Sequence, residues 1–354
     1  MKKRIIAICM ASLMVFGQKT AAFTAEIDYY EYSITIGSYE LYGRLTMPQG
    51  VRNPPVAILI HGSGQGNYNS AFGGMTFFYD IAKGLAGQGI ASIRFNKRYR
   101  QHPPLSANAT IFTETIYDVH YAIDFALDHA GLGEIFLIGF SQGGIAAPHI
   151  AYSRPEVAGI VSLAGSPRSF FDIIVSQDAH LRYQARALGA PIPSFLPIDW
   201  VLRQVMGVDE AAMPHAFETF NNIAIALGFP IPFLLSMHNL STPDIIDDVQ
   251  IPFLILQGEE DLQIFAAYDF TAWQDLLGDR ENATFILYPG LNHFFAPHVP
   301  ELGFNQTRAR VNVDAQVIDD IADWINAIVR EKLSIMDAER IRSNPAMMPR
   351  VYAN

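Results

Sequence analysis

Residues 137–151 read LIGFSQGGIAAPHIA: an apolar run, a serine between glycines, then small residues. That order is expected of a buried strand turning sharply into a helix. Gly139-Phe140-Ser141-Gln142-Gly143 fits Gly-x-Ser-x-Gly, a pattern whose small residues let the turn hold its serine in a strained conformation, Oγ exposed at a sheet edge. Strain costs stability, which points to a use for the hydroxyl. The competing reading is a glycine-rich turn with an idle serine, and the rest of the chain has to decide between them.

Working outward, short apolar runs alternate with helical patterns. YYEYSITIG (29–37) and YELYGRLTMP (39–48) alternate like a hairpin, and PPVAILIHGSG (54–64) is a buried strand ending in a glycine-rich loop. FFYDIAKGLAGQGI (77–90) is helical, IASIRFNKR (90–98) is a strand, and IYDVHYAIDFALDHAG (116–131) sets Val119, Ala122, Ile123 and Ala126 on one helical face with Gly131 as its stop. VAGIVSLAGS (157–166), IPFLILQGEED (251–261) and ATFILYPGLNH (283–293) continue the strands. A closing helix sets Val317, Ile321, Trp324, Ile325 and Ile328 on one face. From about Phe170 to Gln250 the rhythm changes to helix-like pieces rich in Pro, Met, Leu and Phe, without a convincing strand. The fold class is therefore α/β, a mostly parallel central sheet with helices on both faces and a helical cap inserted over its carboxyl edge.

The chain has 354 residues, half of them hydrophobic, enough for one large α/β domain with an insertion. Against 24 Lys and Arg stand 35 Asp and Glu, a formal charge of −11. This repels polyphosphate, so nucleic acid is not an expected partner. Lys2, Lys3 and Arg4 precede an apolar run from Ile5 to Gly17, then Thr20-Ala21-Ala22. That is the layout of a secretory signal cleaved after Ala22 or Ala25, and the run is shorter than the ~20 residues a membrane span needs. Export to the periplasm or the exterior, without stable membrane insertion, is the expectation. The single cysteine, Cys9, lies inside this segment, so neither a disulfide nor thiol chemistry is expected of the mature chain. The expected divisions are a signal segment (1–22), a first part of the core (23–169), the cap (170–250), a second part of the core (251–334) and a tail (335–354).

A serine hydroxyl is a poor nucleophile until a base takes its proton, and the base needs an acceptor to hold its tautomer. For a strand-turn-helix serine the chain order is Ser, then Asp or Glu, then His, each at a strand end. After FLILQG come Glu259, Glu260 and Asp261, and after FILYPG come Leu291, Asn292 and His293. Asp261 is favoured over the two glutamates because the turn needs a few residues before a side chain can reach back. His298 competes with His293 from farther past its strand, in a Pro-flanked segment. Two backbone donors would hold a tetrahedral oxyanion: Gln142 N–H, after the nucleophile, and Ser63 N–H in the early loop His61-Gly62-Ser63-Gly64, with Gly62 as neighbour. His61 is read as structural. HGSGQGN lacks the Lys-Ser/Thr ending of a phosphate loop, the histidines lack paired metal-ligand spacings, and a dinucleotide fingerprint is missing. The expected reaction thus needs no metal or cofactor, only water.

At this point the sequence resembles bacterial serine esterases of the α/β-hydrolase superfamily, in HGSG, FYDIAKGLAGQGIASIRFNKR, GFSQGGIAAPHIA, the Gly-x-x-Asp loop and PGLNHFF. The resemblance runs from about Tyr39 to Trp324 and is poorest in the cap. It implies the α/β-hydrolase fold and a triad carried over as Ser141, Asp261 and His293. It departs at Phe140, where the family often has His, at Gln65–Asn69 after HGSG, and at Asn96 and Tyr99 around Lys97-Arg98. Pro148 matches the family's Ala-Pro pattern, near the first turns of its helix.

The cap carries many Met and Phe residues without a Lys or Arg cluster, since Arg182, Arg186 and Arg203 are scattered. Its face toward the cleft would favour an apolar acyl group, with Phe140, Phe217, Phe220 and Phe229 as pocket candidates. The resulting expectation is a serine carboxylesterase acting on a small-molecule ester. Two alternatives stay open: the same triad working on a thioester, amide or peptide bond or as an acyltransferase, and a non-catalytic binding protein of this fold.

Overall fold

The computed structural model describes residues 27–187, 230–309 and 311–343. The amino-terminal signal-like segment and much of the cap, with Phe217, Phe220 and Phe229, lie outside them.

Eight strands build the main sheet: β1 (Tyr29–Ile36), β2 (Leu41–Pro48), β3 (Val56–Ile60), β4 (Ala91–Phe95), β5 (Ile135–Phe140), β6 (Val157–Leu163), β7 (Phe253–Gly258) and β8 (Ala283–Tyr288). Their spatial order is β1-β2-β4-β3-β5-β6-β7-β8. β1 and β2 form the expected hairpin, β2 runs antiparallel to β4, and every later neighbour pair is parallel. Parallel strands need crossovers, and helices supply them: α1 (Phe77–Gly87), α2 (Tyr117–Asp128), α3 (Gln142–Ser153), α4 (Phe170–Ala187), α5 (Ile231–His238) and α6 (Thr271–Leu277), with α7 (Ala315–Ser343) closing the chain.

Both sheet faces are covered, which is why the central strands read as continuous apolar runs rather than alternating ones. Val56, Ile58 and Ile60 point into a core shared with Val119 and Ile123 of α2 and Ile145 and Ile150 of α3. Ala57 and Leu59, one residue out of phase, point into the opposite core with Phe77, Phe78 and Ile81 of α1 and Val317, Ile321 and Ile325 of α7. The period-two alternation of a strand thus divides one run between two cores. β1 forms one edge of the sheet and is largely exposed. It is tied down by Arg94, buried in β4, which bonds Thr46 Oγ1 at 2.6 Å and pairs with Glu31.

Two local expectations need adjustment. α7 continues through Ser343, so the boundary placed at 334 falls inside it; residues 334–343 hold good helix formers and no Gly or Pro, and Pro345 follows. α2 ends at Asp128, short of Gly131. Pro148 lies in the second turn of α3, where its missing N–H leaves the Gly144 carbonyl without a helical donor. The described parts of the cap segment contain α4 and α5, whose Phe170 and Phe233 rings meet edge-on at 6.3 Å between centroids, and no strand.

Candidate active site

β5 delivers Ser141 to the carboxyl edge of the sheet. The serine has φ 53° and ψ −115°, a left-handed conformation that L residues adopt at a cost of ~1–3 kcal/mol. Three contacts force it. Ser141 N–H donates to the Leu163 carbonyl of β6 at 2.8 Å. A Cβ on Gly139 would sit 2.3 Å from the Gly143 oxygen, and one on Gly143 would sit 2.3 Å from the Ile60 oxygen. Only glycine fits at either place, and α3 can therefore start pressed against the end of β3. Gly143→Ala is expected to destabilise the fold by at least the ~1–3 kcal/mol typical of overpacking, because the obstructing atom belongs to the main chain of a central strand. Urea denaturation checks this; an unchanged midpoint would show that the elbow has slack.

The loop after β3 comes to the same point. A Cβ on Gly62 would lie 3.2 Å from Ser141 Cβ and 3.0 Å from the Phe140 ring, so the Gly62 backbone rests on the elbow with Ser63 half-buried beside it. No described acceptor takes the N–H of Gln142 or of Ser63, and both donors are thus available to an anion at the serine. His61 anchors the loop from below: its Nε2 bonds the Phe95 carbonyl at 2.6 Å, and the Phe78 ring packs against it at a tilt, 4.8 Å between centroids. Burial, reinforced by the nearby Lys97 charge, pushes its pKa down to about 3, so the ring is neutral and the carbonyl bond places its hydrogen on Nε2.

β7 and β8 carry the residues expected as acid and base, Asp261 and His293. Of the three carboxylates after β7, Glu259 and Glu260 are exposed and Asp261 is buried. Asp261 Oδ1 accepts from the Gln263 and Ile264 N–H groups at 2.7 and 2.9 Å. Its Oδ2 accepts from Gln257 Nε2 at 2.9 Å and from His293 Nδ1 at 2.7 Å. A carboxylate only accepts, so Nδ1 bears the hydrogen and neutral His293 keeps its lone pair on Nε2. His298, the competing histidine, makes no contact with Asp261; its backbone N–H closes the turn onto the Gly290 carbonyl.

The loop holding His293 is braced by residues the sequence reading passes over. Asn292 Oδ1 accepts from Phe294 N–H at 2.9 Å, and Gln306 bridges Asn292 Nδ2 to the Val299 backbone. Gly258 packs so tightly on this loop that a Cβ would reach the Leu291 oxygen at 2.5 Å. The one legible sign is Asn292 beside the histidine in a tight turn, a residue type suited to capping turn N–H groups. Gln257 and Gln306 carry no comparable mark.

The sequence reading puts Phe140 on the pocket wall. It is instead 2% exposed and packed among Phe77, Phe294 and the His293 ring, with centroids at 4.4, 5.7 and 4.9 Å. As the last residue of β5 it points into the core while Ser141 turns out, so it backs the imidazole rather than facing a cleft. This contact also brings the serine and histidine segments side by side. No hydrogen bond joins Ser141 Oγ to His293 in this structure, and such bonds often tighten only once substrate is bound.

Among curated proteins, Esterase EstD of Thermotoga maritima is 26% identical over 299 residues, spanning 84% of this chain and 68% of that protein. Among solved structures, Est1E from Butyrivibrio proteoclasticus matches with a TM-score of 0.52 at 15% identity, over 84% of this chain and 99% of that one. TT1662 from Thermus thermophilus matches at 0.50 and 12% identity, over 85% and 98%. At such identities the two structures speak to fold alone. A model of the alpha/beta hydrolase family matches residues 57–304, a span that starts in β3 and takes in the elbow, the acid turn and the histidine loop. The chain belongs to the alpha/beta hydrolase family.

Proposed function

We propose that this protein is a serine carboxylesterase. The observation that carries the reading is the buried Asp261–His293 hydrogen bond beside a serine held at positive φ. Ser141 Oγ attacks the ester carbonyl as His293 Nε2 takes its proton. The oxyanion that forms is held by the Gln142 and Ser63 N–H groups, and the imidazolium by Asp261. His293 then gives the proton to the leaving alkoxide, and a water that it deprotonates releases the acid from the acyl-enzyme. The similarity to a Thermotoga maritima esterase supports ester hydrolysis as the reaction class.

A largely apolar acyl group is part of the proposal. It is supported by the many Met and Phe residues between Phe170 and Gln250 without a Lys or Arg cluster, and by two nearby arginines that are already paired, Arg168 with Asp269 and Arg182 with Asp178. Export is also part of it and rests on the basic, apolar, small-residue order of residues 2–22.

The test is hydrolysis of p-nitrophenyl esters from acetate upward, beside the matching thioesters and anilides, with fluorophosphonate labelling. Turnover of esters with a clear chain-length optimum is expected, with much slower anilide cleavage. A folded protein that neither turns over nor labels would overturn the reading in favour of a binding protein.

A further inference from the structure

The Gln142 side chain does not face the cleft. It is buried beneath the elbow, where its Nε2 donates to Glu114 Oε2 at 2.9 Å and to Thr115 Oγ1 at 3.1 Å. Glu114 Oε1 in turn accepts from Lys97 Nζ at 2.7 Å, with the two side chains 10% and 2% exposed. Glu114 reaches the elbow from a single π-helical turn, Phe112–Ile116, that precedes α2; such bulges recur at functional positions in helices. Lys97 follows β4, and its main-chain N–H donates to the Gly66 carbonyl, in the loop that begins at His61. A cavity of about 10 Å³, lined by His61, Lys97, Glu114 and Thr115 among others, adjoins the pair.

A buried ion pair is weak as a source of stability, because desolvation offsets most of its Coulombic gain. What this one does is connect. Followed from one end to the other, the chain of bonds runs from the Gly66 carbonyl through Lys97 and Glu114 to the Gln142 side chain. Those ends belong to the two segments that supply the backbone donors in the reaction proposed above, on which this inference rests.

We propose that Lys97 and Glu114 are positioning residues that hold the two halves of the oxyanion hole in register, one through the Gln142 side chain and the other through the Gly66 carbonyl. Neither touches substrate. They act by keeping the Gln142 peptide from rotating its N–H away from the developing charge, where a misplacement of about 1 Å can cost ~10² in rate.

The experiment compares three variants of the full chain on one p-nitrophenyl ester. Gln142→Glu sets two carboxylates against each other, and kcat is expected to fall ~10²-fold with KM little changed. Glu114→Gln/Gln142→Glu restores a donor–acceptor pair: the amide introduced at position 114 offers its oxygen to Lys97 and its N–H to the carboxylate introduced at position 142. The double variant is expected to recover most of the lost kcat although a carboxylate remains at position 142, which separates positioning from a charge placed near the oxyanion. Should Gln142→Glu fail to fold, Gln142→Met keeps the volume and removes the link. It is then expected to lower kcat and the affinity for a trifluoromethyl ketone in parallel, at unchanged KM. Wild-type kcat in Gln142→Glu or Gln142→Met would overturn the proposal, as would failure of the double variant to recover activity while folded. Wild-type turnover and fluorophosphonate labelling are recorded in the same series: their loss counts against the esterase reading itself, their presence with an unaffected variant against the positioning role alone.

Discussion

Ser141→Ala is expected to abolish ester turnover, by ~10⁴–10⁶ in kcat, while leaving the fold intact. The size follows from the role proposed for the hydroxyl: with Ser141 as the nucleophile, its removal stops the acyl-enzyme from forming, and only the residual catalysis of binding and the oxyanion donors would remain. The intact fold follows from what it does not do. Its Oγ makes no hydrogen bond in the structure, and the left-handed backbone is imposed by Gly139, Gly143 and the Leu163 carbonyl rather than by the side chain. Alanine carries a Cβ like serine's, so the strain at φ 53° is the same before and after. Steady-state rates on a p-nitrophenyl ester, with a thermal melt alongside, check both halves. Retained turnover would move the nucleophile elsewhere, and a large drop in melting temperature would mean that the hydroxyl is structural.

Asp261→Asn is the second large effect, about 10⁴ in kcat if Asp261 has the proposed role, by analogy with the aspartate of known Ser-His-Asp sites. An amide in place of the carboxylate can turn its NH₂ toward His293 Nδ1. That would draw the imidazole hydrogen onto Nε2 and remove the lone pair that should take the serine proton. The same change disturbs the turn after β7, since Oδ1 satisfies two backbone N–H groups and Oδ2 accepts from Gln257. A stability loss of ~1–3 kcal/mol is expected with it. Glu259→Gln and Glu260→Gln supply the contrast. Both side chains are exposed, so stability should move by no more than ~0.5 kcal/mol, and activity should stay near wild type. Loss of activity in either of these with Asp261→Asn unaffected would put the acid at a different position.

Much of this is legible from residue order because it depends on neighbours along the chain. A strand covered on both faces must be apolar throughout, so LIGF and FLILQG announce themselves. A turn that forbids any Cβ must carry glycine on either side of the serine, so Gly139-Phe140-Ser141-Gln142-Gly143 marks the elbow before any contact is known. The serine, acid and histidine segments follow their strands in a readable order for the same reason: each lies just past a short apolar run. Legibility fades where the pattern is set by length alone. The helix-forming stretch at 334–343 reads as a tail because Ile335 and Met336 stand exposed instead of continuing a core-facing stripe, although its local propensity is already sufficient.

The sequence by itself determined the strand set, the elbow and which three loops converge, because strand period, steric exclusion at glycine and chain order are short-range properties. Only the tertiary structure decided that Phe140 backs His293 instead of lining a cleft, and that Lys97, Glu114 and Gln142 join beneath Ser141. Those outcomes depend on distances between residues 17 to 45 positions apart (114 − 97, 142 − 97) or more. Such distances are fixed when the strands take their places in the sheet and the side chains divide between its two faces.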